Sequence, residues 1–288
     1  MIPYLIALIP FFFLFGDPIL EFFSTCGGST DSNNTQVKKI HRTPRPKLNT
    51  ELLALETNDT TAEYTCGEEG KNGFYKVHVY SREPLVLYLE GFLTRLERDH
   101  LLQISESLYE PSTITDNGGA EVHRDATVRD SEVAVVPRDD VVRCIEDRAR
   151  EVQGWRDEVW VERLRVQRYK AGGHYSHHYD WSSAMGGWGR VSSFMVWVDD
   201  SEGQLEGGGT EFPKLGRKGD KRWCKFVDCD ESQEKGVVFR PVAGNAVYWE
   251  NFKSDGSARA YEETWHAGLP VRKGVKVGLN IWSWGRIE

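Results

Sequence analysis

Cysteine is scarce: five residues in 288, none at metal-knuckle spacing. That excludes a disulfide-built scaffold and a zinc knuckle. Positive charge is also short, with 36 Lys and Arg against 44 Asp and Glu and a formal net charge of −8. A general nucleic-acid binder needs a basic footprint, so that class falls away, while a basic peptide stays admissible as a partner. Internal repeats and long low-complexity tracts are missing. What is plentiful is aromatic: 10 Trp, 13 Phe and 11 Tyr, within a hydrophobic share of 39%. That share supports a sizeable core and excludes global disorder. The aromatics suit a β-rich fold or an aromatic-lined cleft. The length fits one large domain with an appendage, or two small ones.

Only the front carries a long apolar run. Ile2 to Phe15 holds no charge, Asp17 and Pro18 interrupt, and Ile19, Leu20, Phe22 and Phe23 resume. The first stretch is short for a membrane span and right for a signal-peptide core, with small residues at Ser24-Thr25-Cys26. Residues 1–26 are therefore expected to be a cleaved signal or a membrane anchor, leading to the endoplasmic reticulum or secretory pathway. Against this, no Lys or Arg precedes the run, and Lys38, Lys39 and Arg42 follow it. Residues 27–83 read as a polar linker with sequons at Asn33 and Asn58. Cys66 falls there without an evident partner.

The body is expected over 84–288. Leu85 to Leu89 reads as a strand, and Thr94-Arg95-Leu96-Glu97 as a capping box. That box opens a helix with Leu101, Ile104 and Leu108 on one face. A second helix is expected from about Asp139 to Gln153, striped by Val142, Ile145, Ala149 and Val152 and stopped at Gly154. Short strand-like runs follow: 160–169, 191–198, 237–239, 246–249 and 275–282. Helices followed by many short strands predict an α+β fold, with helices packed on an antiparallel β-sandwich. The charged stretch 214–235, with Cys224 and Cys229, reads as a long insert, functional or mobile. A Cys224–Cys229 bridge is compatible with an oxidising lumen.

His178-Tyr179-Asp180 is an H-x-D whose two side chains would share a face in a strand. His266, far downstream, can complete a 2-His-1-carboxylate set for octahedral Fe(II). Lys276 opens the last strand, and an inward lysine is costly unless an anion meets it. A dicarboxylate bound to the metal at one end would place its other carboxylate there. The alternative on spacing alone is two hydrogen-bonded core histidines and an exposed lysine. The chain also holds His123-Arg124-Asp125, in a polar loop, read as solvated surface.

From about residue 84 to 288 the sequence resembles the prolyl 4-hydroxylases. Arg129-Asp130-Ser131 resembles the family's Arg-x-Ser. Tyr169 to Asp180 resembles Tyr-x-x-Gly-x-x-Tyr-x-x-His-x-Asp, Glu206 to Pro213 resembles Glu-Gly-Gly-x-Thr-x-Phe-Pro, and His266 to Trp282 resembles the terminal block. His177 and Leu269 stand where the family usually has Pro and often has Cys. The resemblance implies a double-stranded β-helix (jelly-roll) core with supporting N-terminal helices. It implies an Fe(II)- and 2-oxoglutarate-dependent dioxygenase, with L-ascorbate as reductant, that hydroxylates C4 of a peptidyl proline and releases succinate and CO2. By position, His178, Asp180 and His266 match the iron ligands. Lys276 and Tyr169 match the residues that hold the distal carboxylate of 2-oxoglutarate, and Thr210 matches the pocket wall. Tyr175, Arg190 and Trp282 match positions around the proline, and Glu162, Arg129 and Ser131 match positions that hold the peptide. The expected partner is a proline-containing peptide or protein; the sequence names no subunit partner. Two other readings stay open: a 2-oxoglutarate oxygenase acting on another residue or small molecule, and a non-catalytic jelly-roll binding module.

Overall fold

The computed structural model describes residues 51–55, 66, 74–116, 121–184, 186–230 and 236–287. The expected signal or anchor segment, both sequons and most of the linker lie outside the described residues. Among the described residues, no helix is long and apolar enough to cross a membrane.

The architecture is mostly β-sheet. In chain order the elements that matter are β1 (Lys76–Arg82), β2 (Leu85–Glu90), α1 (Arg95–Ser105), β3 (Arg129–Asp130), β4 (Glu132–Val135), α2 (Asp140–Val152), β5 (Arg165–Tyr169), β6 (His174–His178), β7 (Trp188–Asp199), β8 (Thr210–Phe212), β9 (Val237–Phe239), β10 (Ala246–Glu250), β11 (His266–Gly268) and β12 (Lys276–Arg286). A nine-stranded sheet runs β1-β2-β10-β7-β12-β5-β4 and ends on a short strand at Glu110–Pro111, with Val159–Val161 paired to β12. A five-stranded sheet runs β9-β8-β11-β6-β3. Neighbours in both sheets are antiparallel. Strands far apart in sequence thus become neighbours, as in a jelly roll.

Each face of the large sheet buries its own apolar set because strand side chains alternate. One face, with Leu87, Leu89, Phe194, Val196, Leu279 and Ile281, packs on Leu101 of α1 and on Val142, Ile145 and Ala149 of α2. The other, with Tyr88, Trp197, Val247 and Trp249, packs on Phe212, Val237 and Phe239 of the small sheet. The expected layer of N-terminal helices is not what forms: β1 and β2 precede both helices, and each helix is inserted between strands. Helix α1 starts at the capping box, with the Thr94 side chain accepting from the Glu97 amide and Glu97 accepting from the Thr94 amide. Asp139 caps α2 through the Val142 amide.

Four expectations need correction. The ordered body begins at β1, inside the expected linker. That strand was hidden because Val77 and Val79 face solvent while His78 and Tyr80 face inward, the reverse of the usual polarity. Leu53, also from the linker, is buried and bridges to Glu162. Leu108 leaves the stripe of α1, since the helix ends at Ser105 and a 3-10 turn leaves Leu108 exposed. The run 160–169 is two strands, broken where Ala54 and Leu53 pair with Val161 and Glu162. The described part of the insert, 214–230, is packed rather than loose: Leu215, Phe226 and Val227 join the core between the sheets. Its Cys224–Cys229 disulfide closes a 3-10 turn, and a second disulfide ties Cys66 to Cys144 of α2.

Candidate active site

The site lies at the small sheet, where β6 and β11 pair with His178 directly opposite His266. Asp180 does not sit on the strand, as the H-x-D argument supposed. Strand β6 ends at His178, and Asp180 opens a 3-10 turn that swings its carboxylate between the two rings. Asp180 Oδ1 lies 3.6 Å from His178 Nε2, and Oδ2 lies 3.8 Å from His266 Nε2. The three donor atoms fall within 4.8 Å of one another.

Tautomer follows from the second hydrogen bond of each ring. His178 Nδ1 lies 2.8 Å from the Ser176 carbonyl, and His266 Nδ1 lies 2.8 Å from the Thr264 carbonyl. A carbonyl only accepts, so each Nδ1 carries the proton and each Nε2 presents a lone pair to the shared space. That is how metal-binding imidazoles are oriented. Burial pulls His266 down to about 4, with His178 adding to the shift, so the ring is neutral at physiological pH. Burial alone would raise the Asp180 carboxyl, yet the facing His266 and His178, with Arg190 beyond, hold it well below the usual carboxylate range. Two imidazoles with Nε2 turned inward and an anionic carboxylate suit a divalent cation with open positions.

The cavity beside this cluster is lined by Gln167, Tyr169, Tyr175, Met195, Thr210, Trp249, Gly268, Lys276 and Asn280. Lys276 is 2% exposed. Burial alone pulls its amine down to about 7, and among the described residues no carboxylate offsets it. Its Nζ lies 5.2 Å from the centre of the Tyr169 ring, its register partner on β5. Thr210 Oγ1 and Gln167 Nε2 are buried without a hydrogen-bond partner among the described residues. A cation and two orphaned polar atoms around one cavity fit an anionic, oxygen-rich ligand. Together with the three donors, these residues fit an iron(II) ion and 2-oxoglutarate.

A second group gathers the residues matched to the peptide. Glu162, 1% exposed, accepts from Arg190 Nε at 2.7 Å and from Arg190 Nη2 at 3.0 Å. The Arg190 guanidinium lies 3.9 Å above the Trp282 ring. Arg129 donates to Ser131 Oγ at 3.2 Å and lies 4.6 Å over the Tyr175 ring, which stacks on His178 at 3.7 Å. Ser131 in turn donates to Ser112. The structure thus places all twelve expected residues in two adjoining groups joined through Tyr175 and His178. His123 lies on the surface outside the site, and Asp125 caps a turn through Thr127.

Sequence reasoning missed Gln167, Asn280, Met195 and Trp249. Gln167 is two residues from Tyr169 on β5, and Asn280 is on the Lys276 face of β12. Strand alternation from the residues already chosen would have found both.

Residues 164–284 match the model of the 2OG-Fe(II) oxygenase superfamily. The chain is 28% identical to prolyl 4-hydroxylase 2 of Arabidopsis thaliana over 72% of its own length and 69% of that protein's. It is 24% identical to prolyl 4-hydroxylase subunit alpha-2 of Caenorhabditis elegans over 72% of its own length and 35% of that subunit's. Among solved structures, the collagen prolyl hydroxylase of Paramecium bursaria Chlorella virus-1 is 24% identical, with a TM-score of 0.48 over 74% of this chain and 97% of the viral one.

Proposed function

We propose that this chain, a prolyl 4-hydroxylase-like oxygenase of the 2OG-Fe(II) superfamily, hydroxylates C4 of a peptidyl proline in the secretory pathway, with release of succinate and CO2. The observation that carries the reading is the pairing of a His-Asp-His cluster, both Nε2 atoms turned to the space they share with the Asp180 carboxylate, with a buried lysine that meets no carboxylate among the described residues. Iron(II) and 2-oxoglutarate, when bound, supply the oxygen activation that side chains cannot perform.

The protein's part is holding and orienting. His178 and His266 offer Nε2, and Asp180 offers a carboxylate. Lys276 supplies the charge for the distal carboxylate, with the Tyr169 hydroxyl, now donating to Gln167 at 3.2 Å, within the same wall. Thr210 Oγ1 and Gln167 Nε2 gain partners only when that ligand is present. Trp249 and Phe212 pack on His266 and keep water from the inner side of the cluster. Tyr175 and Trp282 offer the faces a proline ring needs, since proline has neither charge nor amide hydrogen. Arg190, held by Glu162, fixes the Trp282 plane, while Arg129, donating to Ser131, lies over Tyr175.

The compartment rests on the apolar leader over residues 1–26, whether cleaved or anchoring, the two sequons and the two disulfides. L-ascorbate is proposed as the reductant that rescues iron after turnover without substrate.

The test uses the full chain with Fe(II), 2-oxoglutarate, ascorbate and pooled proline-containing peptides. Peptide-dependent succinate with a one-oxygen mass gain on proline is expected. Oxygen gained on another residue, or succinate that ignores every peptide, would replace the substrate. Metal binding without any succinate would favour a binding module.

A further inference from the structure

We infer that the substrate carries a carboxylate close to its proline and that Arg165 receives it. The inference rests on the proposed proline hydroxylation and deepens it by naming a substrate class.

Strand alternation puts Arg165, Gln167 and Tyr169 on one face of β5, and the latter two line the cavity. The neighbouring β12 presents Lys276, Asn280 and Trp282 in step, with Tyr169 opposite Lys276 and Arg165 opposite Asn280. Lys276 and Arg165 therefore stand at opposite ends of one floor, the first at the cosubstrate end and the second at the peptide end.

At the peptide end cations outnumber their partner. Arg190 lies 3.9 Å and Arg165 5.7 Å from the centre of the Trp282 ring. Arg129, 8% exposed, lies over Tyr175. Among the described residues this group faces Glu162, both of whose oxygens are taken by Arg190, and more distantly Asp180, whose oxygens face the two histidines. Among the described residues, Arg165 Nε and Arg129 Nη2 are left buried with no hydrogen-bond partner. Burial lowers the Arg165 pKa; Glu162 opposes this, and Arg190, Arg129 and Arg163 lower it further. Unlike Lys276, a guanidinium does not shed its proton to relieve such a position. A backbone carbonyl would satisfy one donor and leave the charge. A carboxylate satisfies both, in the planar fork that arginine favours. It can come from an Asp or Glu side chain beside the proline or from a free C-terminus.

The experiment compares matched proline peptides that carry Glu or Gln on either side of the proline, each with a free or an amidated C-terminus. Hydroxylation is followed for the wild type, Arg165→Gln and Arg165→Lys, with 2-oxoglutarate binding as the check on folding. For the wild type, kcat/KM is expected to be about tenfold or more higher for the preferred acidic peptide than for its neutral twin, mostly through KM. Arg165→Gln should reduce that ratio to about one, and Arg165→Lys should keep part of it. A preference tied to the flanking Glu assigns the side chain, and one tied to the free terminus assigns the C-terminal carboxylate; either supports the inference. Equal rates for all twins in the wild type would overturn it and leave proline hydroxylation standing. An acid preference that survives Arg165→Gln would overturn the assignment to Arg165. Proline left unmodified in every peptide, with 2-oxoglutarate still bound, would overturn the proposed reaction and this inference with it.

Discussion

The two ends of the β5–β12 floor treat a buried cation in opposite ways. At one end Lys276 is buried beside Tyr169 with no carboxylate among the described residues, and its amine is pulled down to about 7. At the other, Arg190 is gripped through both oxygens of a buried Glu162. A pair that is complete within the chain builds a wall, whereas a cation left without a partner marks where a ligand brings the missing charge. On the proposed function, the first end awaits a dicarboxylate, and the second is already shaped for a peptide except for the guanidinium of Arg165.

The largest effect on this comparison comes from removing its reference point, the metal cluster. His266→Ala or His178→Ala should take turnover below detection, read as succinate release, with loss of bound iron measured on the same samples. Stability comes next, and there the two ends should move in opposite directions. Glu162→Ala strands Arg190 and should cost about 3–5 kcal/mol, seen as a lower denaturation midpoint. Lys276→Met removes an unmatched buried amine and should leave the ligand-free protein unchanged or stabilise it by about 1–4 kcal/mol. The same variant should need far more 2-oxoglutarate. If both substitutions destabilise alike, the contrast between the ends is wrong.

The lysine also sets a pH dependence. Its folded pKa, about 7, lies below its ordinary value of 10.5. Between those values the unfolded chain holds a proton that the folded chain lacks, so this group makes ligand-free stability rise with pH across that window. On the proposed function, bound 2-oxoglutarate needs the charged amine. Its apparent affinity should therefore weaken as pH climbs above about 7, by at most about tenfold per pH unit. A pH series of 2-oxoglutarate KM checks this, and Lys276→Arg should flatten it. The smallest effect is expected from Ser131→Ala, which removes the acceptor of Arg129 Nε and should cost about 0.5–1.5 kcal/mol, chiefly as a higher peptide KM.

The two ends also differ in how legible they were from sequence. His178, Asp180, His266 and Lys276 were picked out by the resemblance to the prolyl 4-hydroxylases, which matches them in order; spacing alone left two core histidines and an exposed lysine open. The route to Asp180 was misjudged, since a 3-10 turn rather than strand alternation delivers it. Gln167 and Asn280 went unread because an amide on a strand looks like any polar residue until its neighbours are known to line a cavity. Strand β1 was missed because its inward side chains are His78 and Tyr80 and its valines face out. The insert was misread because charge dominates its composition, while Leu215, Phe226 and Val227 decide its packing. Pairings between distant segments, such as Leu53 with Glu162 or Cys66 with Cys144, leave no local pattern at all.

The most direct measurement of the central claim is calorimetric titration of 2-oxoglutarate into the full chain loaded with Fe(II) without oxygen, below pH 7. One equivalent should bind, with binding lost in His266→Ala and strongly weakened in Lys276→Met. Absence of binding, or binding indifferent to both substitutions, would contradict the assignment of this cavity to the cosubstrate.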